Sequence, residues 1–132
     1  MVDQTDVELV RRGYDAFVAG DMEWLNEHLH ENIVWHVAGS STLAGEHRGR
    51  EEVLAHLART VQVAVPEFDP RHRRRAGPRI ALLRVTWRLP TGDTFQGNAV
   101  QVFHVTGGIA LESWFIPEDQ AGFDRFLAAA PA

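Results

Sequence analysis

The sequence predicts an α+β fold, with helices packed on one face of an antiparallel sheet. Three observations lead there. Up to Pro66 apolar residues recur mostly with a helical period, interrupted by one short β-branched run. After Pro66 the period falls to two, and Gly/Pro turns separate the segments. A last helical stretch then follows Pro117. Helices, a meander and a closing helix describe two layers around a shared core.

The first helix is expected from about Asp6 to Ala19. Val7, Val10, Tyr14, Phe17 and Val18 recur there at i, i+3, i+7, i+10 and i+11, the buried stripe of a helix. Gly20 ends it, and Asp21 caps a short second helix that turns Met22, Leu25 and Leu29 inward. Ile33–Val37 is a strand with one ionisable residue in its apolar run, His36. A Gly/Ser/Thr loop, Gly39–Gly49, follows. Arg50-Glu51-Glu52 opens a third helix, with two acids where the helix dipole favours them. Its apolar side is Val53, Leu54, Leu57, Val61 and Val65, and Pro66 terminates it.

Glu67–Arg75 is polar enough for an edge strand, and Ala76-Gly77-Pro78 breaks it. Its run Arg71-His72-Arg73-Arg74-Arg75 reads as a solvated edge, without the interleaved aromatics of a nucleic-acid patch. Arg79–Leu89 alternates more clearly and leads to a hairpin turn, Pro90-Thr91-Gly92-Asp93. Thr94–Thr106 is a long strand, with Gly97 a candidate bulge. Gly107-Gly108 is a second tight turn, and Ile109–Ile116 is the last strand. Pro117-Glu118-Asp119 starts the closing helix, which carries Phe123, Phe126 and Leu127. A curved sheet closed by helices leaves a concave pocket, the usual place for a small ligand.

Composition narrows the partners. The chain has 132 residues, 45% hydrophobic and 23% charged, which fits one domain over residues 1–132 with a real core. A net charge of −5 argues against nucleic acid and against an anionic membrane. With no cysteine there is no disulfide framework and no thiolate chemistry. The first residues, MVDQTDVELVRR, lack a signal-peptide core, and no apolar run approaches a membrane span. A cytoplasmic protein is expected. His28, His30, His47, His56 and His72 do not make a metal set, since His28 and His30 do not share a helix face.

Several stretches, in order along the chain, resemble the SnoaL-like branch of the nuclear-transport-factor-2-like superfamily. They are Tyr14-Asp15-Ala16-Phe17-Val18-Ala19-Gly20-Asp21, Val34-Trp35-His36-Val37 with Leu43-Ala44-Gly45 and Arg48-Gly49-Arg50-Glu51, Val102-Phe103-His104-Val105, and Glu112-Ser113-Trp114-Phe115 leading to Pro117-Glu118-Asp119-Gln120. The resemblance implies a cone-shaped, curved antiparallel sheet with helices packed on its concave face, often a homodimer through the outer sheet face. No cofactor is expected. It leaves the chemistry open, because this fold hosts isomerases, cyclases, hydrolases, dehydratases and binders. Where ketosteroid-isomerase relatives carry their catalytic carboxylate, this chain has His36. Their second acid is matched by Gln101, and their tyrosine donor lies close to Tyr14. The Arg/Asp pair of limonene-epoxide hydrolases would fall where Val85 and Trp87 stand. The carboxylate nearest to the acid/base Asp of polyketide cyclases is Glu112.

Alternation along the strands yields an expected inward set: His36, Trp87, Gln101, Phe103, Glu112 and Trp114. His36 is a candidate general base beside a carbonyl; the alternative is a core histidine bonded to backbone. Glu112 would orient it or act as the acid; the alternative is an outward carboxylate on an edge. Gln101 would donate to an oxyanion, though a structural amide is the preferred reading. Trp87, Phe103 and Trp114 would floor a ligand or simply pack, and Tyr14 reads better as core. Val100, Val102 and His104 fall on the opposite face, an expected homodimer contact. The function expected is a cofactor-free acid/base enzyme, isomerase or cyclase in type, acting on a small hydrophobic carbonyl compound. The alternatives are a non-catalytic binder of a small hydrophobic ligand and a dimerising module.

Overall fold

The computed structural model describes residues 4–68, 74–77 and 80–130. Helix α1 is Gln4–Ala19 and α2 is Met22–His28. Gly20 joins them at φ 73°, which a residue without Cβ adopts at little cost. Asp21 caps α2, its carboxylate accepting from the Trp24 amide at 3.1 Å. Strand β1 is Leu29–Val37. It takes in Leu29, expected to close the second helix, because His28 ends that helix by donating Nδ1–H to the Trp24 carbonyl at 2.7 Å. Strand β2, Gly45–Arg48, lies inside the expected loop and exists through pairing with β1. Helix α3 is Arg50–Val63.

Val65 does not belong to the apolar side of α3. It begins β3 (Val65–Phe68) and is 47% exposed. Strands β4 (Arg74–Gly77), β5 (Ile80–Arg88), β6 (Thr94–Thr106) and β7 (Ile109–Pro117) follow, then helix α4 (Gln120–Ala128). Asp119 caps α4 by accepting from the Gly122 amide at 2.9 Å. The edge reading of Arg71-His72-Arg73 and the turn at Pro78 lie outside the described residues. No helix among the described residues is long and apolar enough to cross a membrane.

The strands form one sheet in the order β2-β1-β7-β6-β5-β3, with β4 also on β5. β1 runs parallel to β7, so the sheet is mixed rather than purely antiparallel. That pairing joins the first strand to the last and needs the whole intervening chain as its connection. Gly97 sits in an unbroken ladder opposite Val85, so it is not a bulge. The irregularity lies further on. His104 pairs with Glu112 and Val105 with Ala110, which leaves Leu111 as an extra residue in β7.

Two apolar clusters hold the layers together. Tyr14, Leu83, Val85, Trp87, Phe123 and Leu127 pack in one. Ala16, Leu25, Ile33, Val53, Leu57 and Ala110 pack in the other. Each fully buried large aliphatic side chain is worth roughly 1.5–3 kcal/mol. Val18, expected in the stripe of α1, is instead 45% exposed at the helix end.

Candidate functional site: an apolar cavity between sheet and helices

Between sheet and helices lies a cavity of about 110 Å³. From the sheet come Trp35, Val37, Trp87, Gln101, Phe103 and Phe115. From α1, α2 and α3 come Tyr14, Trp24, His28, His56 and Thr60. No Asp, Glu, Lys or Arg stands among the described residues lining it.

The wall has two notable polar features. Tyr14 donates its hydroxyl to Gln101 Oε1 at 3.0 Å, and Gln101 Nε2 donates to Ser113 Oγ at 3.0 Å. All three residues are buried, Ser113 completely, so this chain satisfies polar groups that would otherwise be costly. Gln101 thus spends both ends of its amide within the protein.

The second feature is His56, 3% exposed, with a ring stacked on that of His47 at 3.9 Å between centroids. His47 donates Nε2–H to the Leu43 carbonyl at 3.2 Å, and its Nδ1 lies 3.9 Å from Glu52. His56 Nδ1 has no hydrogen-bond partner among the described residues. Burial first, then His47, then Arg59, push its pKa down to about 3, so the ring is neutral at physiological pH. His28, also in the wall, is held by Trp24 through stacking at 3.9 Å and through its bond to the carbonyl.

Of the residues expected inside, Trp87, Gln101 and Phe103 line the cavity, as does Tyr14, read as core; His36, Glu112 and Trp114 do not. The expected His36–Glu112 pair forms, Nε2–H donating to Oε2 at 2.7 Å, and the His36 ring stacks on Trp114 at 5.0 Å. It forms on the convex face of the sheet. Trp35 and Val37 flank His36 in β1 and both line the cavity, so His36 points the other way. Across β6 and β7, Gln101 faces Phe115 and Phe103 faces Ser113, which turns Glu112 and Trp114 outward. β1 then aligns His36 with Trp114 and Val34 with Glu112. Glu46 of β2 completes the cluster 3.8 Å from His36 Nδ1 and is itself held by Arg48 Nη2 at 2.8 Å. The pair therefore stands apart from the cavity, on the opposite face of the sheet.

Sequence reasoning passed over His56, which it weighed only as a metal ligand. The available signal was its place between Val53 and Leu57, a polar residue on the apolar side of α3.

A curved sheet with helices over one face and a cavity between them is the α+β fold of NTF2-like proteins. The chain belongs to the SnoaL-like domain family, which matches residues 10–112. Among solved structures it is similar to Bal32a from a soil-derived mobile gene cassette, with 30% identity, 94% of this chain and 97% of that one covered, and a TM-score of 0.80. An NTF2-like protein from Burkholderia xenovorans LB400 has 22% identity, 94% and 98% coverage and a TM-score of 0.78. A SnoaL-like polyketide cyclase, so described, from Jannaschia sp. CCS1 has 16% identity, 98% and 96% coverage and a TM-score of 0.73; at that identity it shows the fold alone. A Mycobacterium tuberculosis (strain ATCC 25618 / H37Rv) protein is 38% identical over 64 residues. That match is 48% of this chain and 49% of that protein, so the chain spans about half the length of the curated relatives it matches.

Proposed function

We propose that the chain binds a small, mostly apolar, uncharged molecule in the interior cavity. The supporting observation is the wall itself, aromatic from both layers and without an ionised carboxylate, lysine or arginine among the described residues that line it. A charged ligand would give up its hydration there and gain no counter-ion. Size limits the ligand to a single ring, since the cavity, at about 110 Å³, is smaller than the roughly 150 Å³ that holds benzene.

The acid/base reading, isomerase or cyclase in type and without a cofactor, keeps one support. The Tyr14 hydroxyl and the neutral His56 ring belong to the same wall. It takes second place, because the expected base and its carboxylate lie on the convex face.

Trp24, Trp35 and Trp87 in the wall make indole fluorescence the direct readout. Titration with toluene is expected to give a saturable change. Leu57→Trp, which fills the cavity from α3, should abolish it. No saturable response in the wild type up to millimolar toluene would overturn the binding reading. Deuterium exchange next to the carbonyl of cyclohexanone separates the two readings. Exchange above the buffer rate favours the enzyme, and binding without exchange favours the binder.

The convex face supports a second partner, another copy of this chain. Cross-strand pairs align Leu82 with Val100 and Ile116, and Val102 with Trp114. Leu82 is 37% and Ile116 45% exposed, with His104 at the edge of the patch. Such a stripe favours a symmetric contact. Light scattering at micromolar concentration should give a dimer, and Ile116→Asp should shift it to monomer. A wild-type monomer would reject the contact.

A further inference from the structure

We infer that His56 is the cavity's hydrogen-bonding group, and that it selects a ligand carrying one uncharged oxygen, such as a phenolic hydroxyl, over a hydrocarbon of the same shape. This rests on the reading of the cavity as a binding site.

Among the polar side chains of the wall, His56 is the one with a fully buried atom that has no partner among the described residues. Tyr14 and Gln101 are engaged with each other, and Gln101 with Ser113. His28 bonds the Trp24 carbonyl, and Thr60 Oγ1 donates to the His56 carbonyl at 2.8 Å. His56 has none of this. No hydrogen bond among the described residues uses a ring nitrogen of His56, and its Nδ1 is buried without a partner. Leaving a buried polar atom unpaired is destabilising, and native folds contain few such atoms. A phenylalanine here would preserve the stack on His47 without that cost. Nδ1 is closed off from the cavity as well, so a ligand there reaches the ring at Nε2, which has no partner among the described residues and is not fully buried.

The chemistry of the ring names the ligand class. Burial first, then His47 and Arg59, disfavour a positive charge on it, so it stays neutral. A neutral imidazole has one nitrogen that donates and one that accepts. It therefore pairs with a hydroxyl in either sense and with a carbonyl by donating. It offers no charge to a carboxylate. Stacking on His47 holds the plane of the ring, which gives the bond a direction.

The probes are phenol, toluene and benzoate, titrated against the whole chain and read by indole fluorescence. Wild type should bind phenol about tenfold more tightly than toluene, the worth of one net hydrogen bond. Benzoate should bind most weakly. His56→Phe should still bind toluene and should lose the preference for phenol. If wild type binds toluene and phenol alike, the role of His56 is overturned and the cavity reading stands. If it binds neither, the cavity reading fails instead. Should His56→Phe not fold, ¹⁵N chemical shifts of the His56 ring in the wild type decide. They should move on adding phenol and stay still with toluene, and equal behaviour with both would overturn the inference.

Discussion

Lowering the pH from 7 to 4 is expected to cost the fold on the order of 3 kcal/mol through His56 alone. In the unfolded chain the ring titrates near its ordinary value of 6.5. In the fold, burial, His47 and Arg59 push it down to about 3. Between those values the unfolded state takes up a proton that the folded state refuses. The contribution is therefore fully present above pH 6.5 and is lost progressively as the pH falls toward 3. His56→Phe keeps a flat ring against His47 and removes the titration. Urea denaturation at both pH values, on wild type and variant, measures the difference. The acid-induced loss in the variant should be smaller by roughly that amount. Equal losses in the two proteins would show that the folded state does not hold His56 neutral.

Gln101→Leu is expected to have the other large effect. The replacement is close in volume, so packing changes little. It takes away the acceptor of the Tyr14 hydroxyl and the donor to Ser113 Oγ, each at 3.0 Å. Losing a partner in a buried setting costs about 1–3 kcal/mol for each group affected. Of these two bonds Tyr14→Phe severs the first and keeps the second, and it should cost less. Chemical denaturation reads both variants. A loss below about 1 kcal/mol for Gln101→Leu would mean that this chain of bonds contributes little to the fold.

Much of the architecture was legible because it rests on interactions a few residues long. Asp21 and Asp119 sit before helices and cap them. The long strand Thr94–Thr106 and the turn at Gly107 and Gly108 were readable from alternation and turn chemistry. β2 was not, because Gly45-Glu46-His47-Arg48 has no strand pattern of its own and becomes one only against β1. The parallel partnership of β1 and β7 joins residues too far apart in the chain for any local rule to reach.

Readable in the chain alone were the layered α+β class, most helix boundaries and the inward direction of Trp87, Gln101 and Phe103. Tertiary structure alone decided which face His36, Glu112 and Trp114 occupy, and Leu111 is the reason. An unbroken two-residue hairpin at Gly107 and Gly108 would set Glu112 opposite Phe103 and Trp114 opposite Gln101, inside the cavity. With Leu111 as the extra residue, Ser113 and Phe115 take those places. A shift of one residue moves every later side chain to the other face of the sheet. β1 follows β7 in register, so His36 goes outward with Trp114. The same dependence on distant contacts hid His56. A histidine on the apolar side of a helix can be read from the chain. Its lack of a hydrogen-bond partner is set by what β2 and the sheet bring against it.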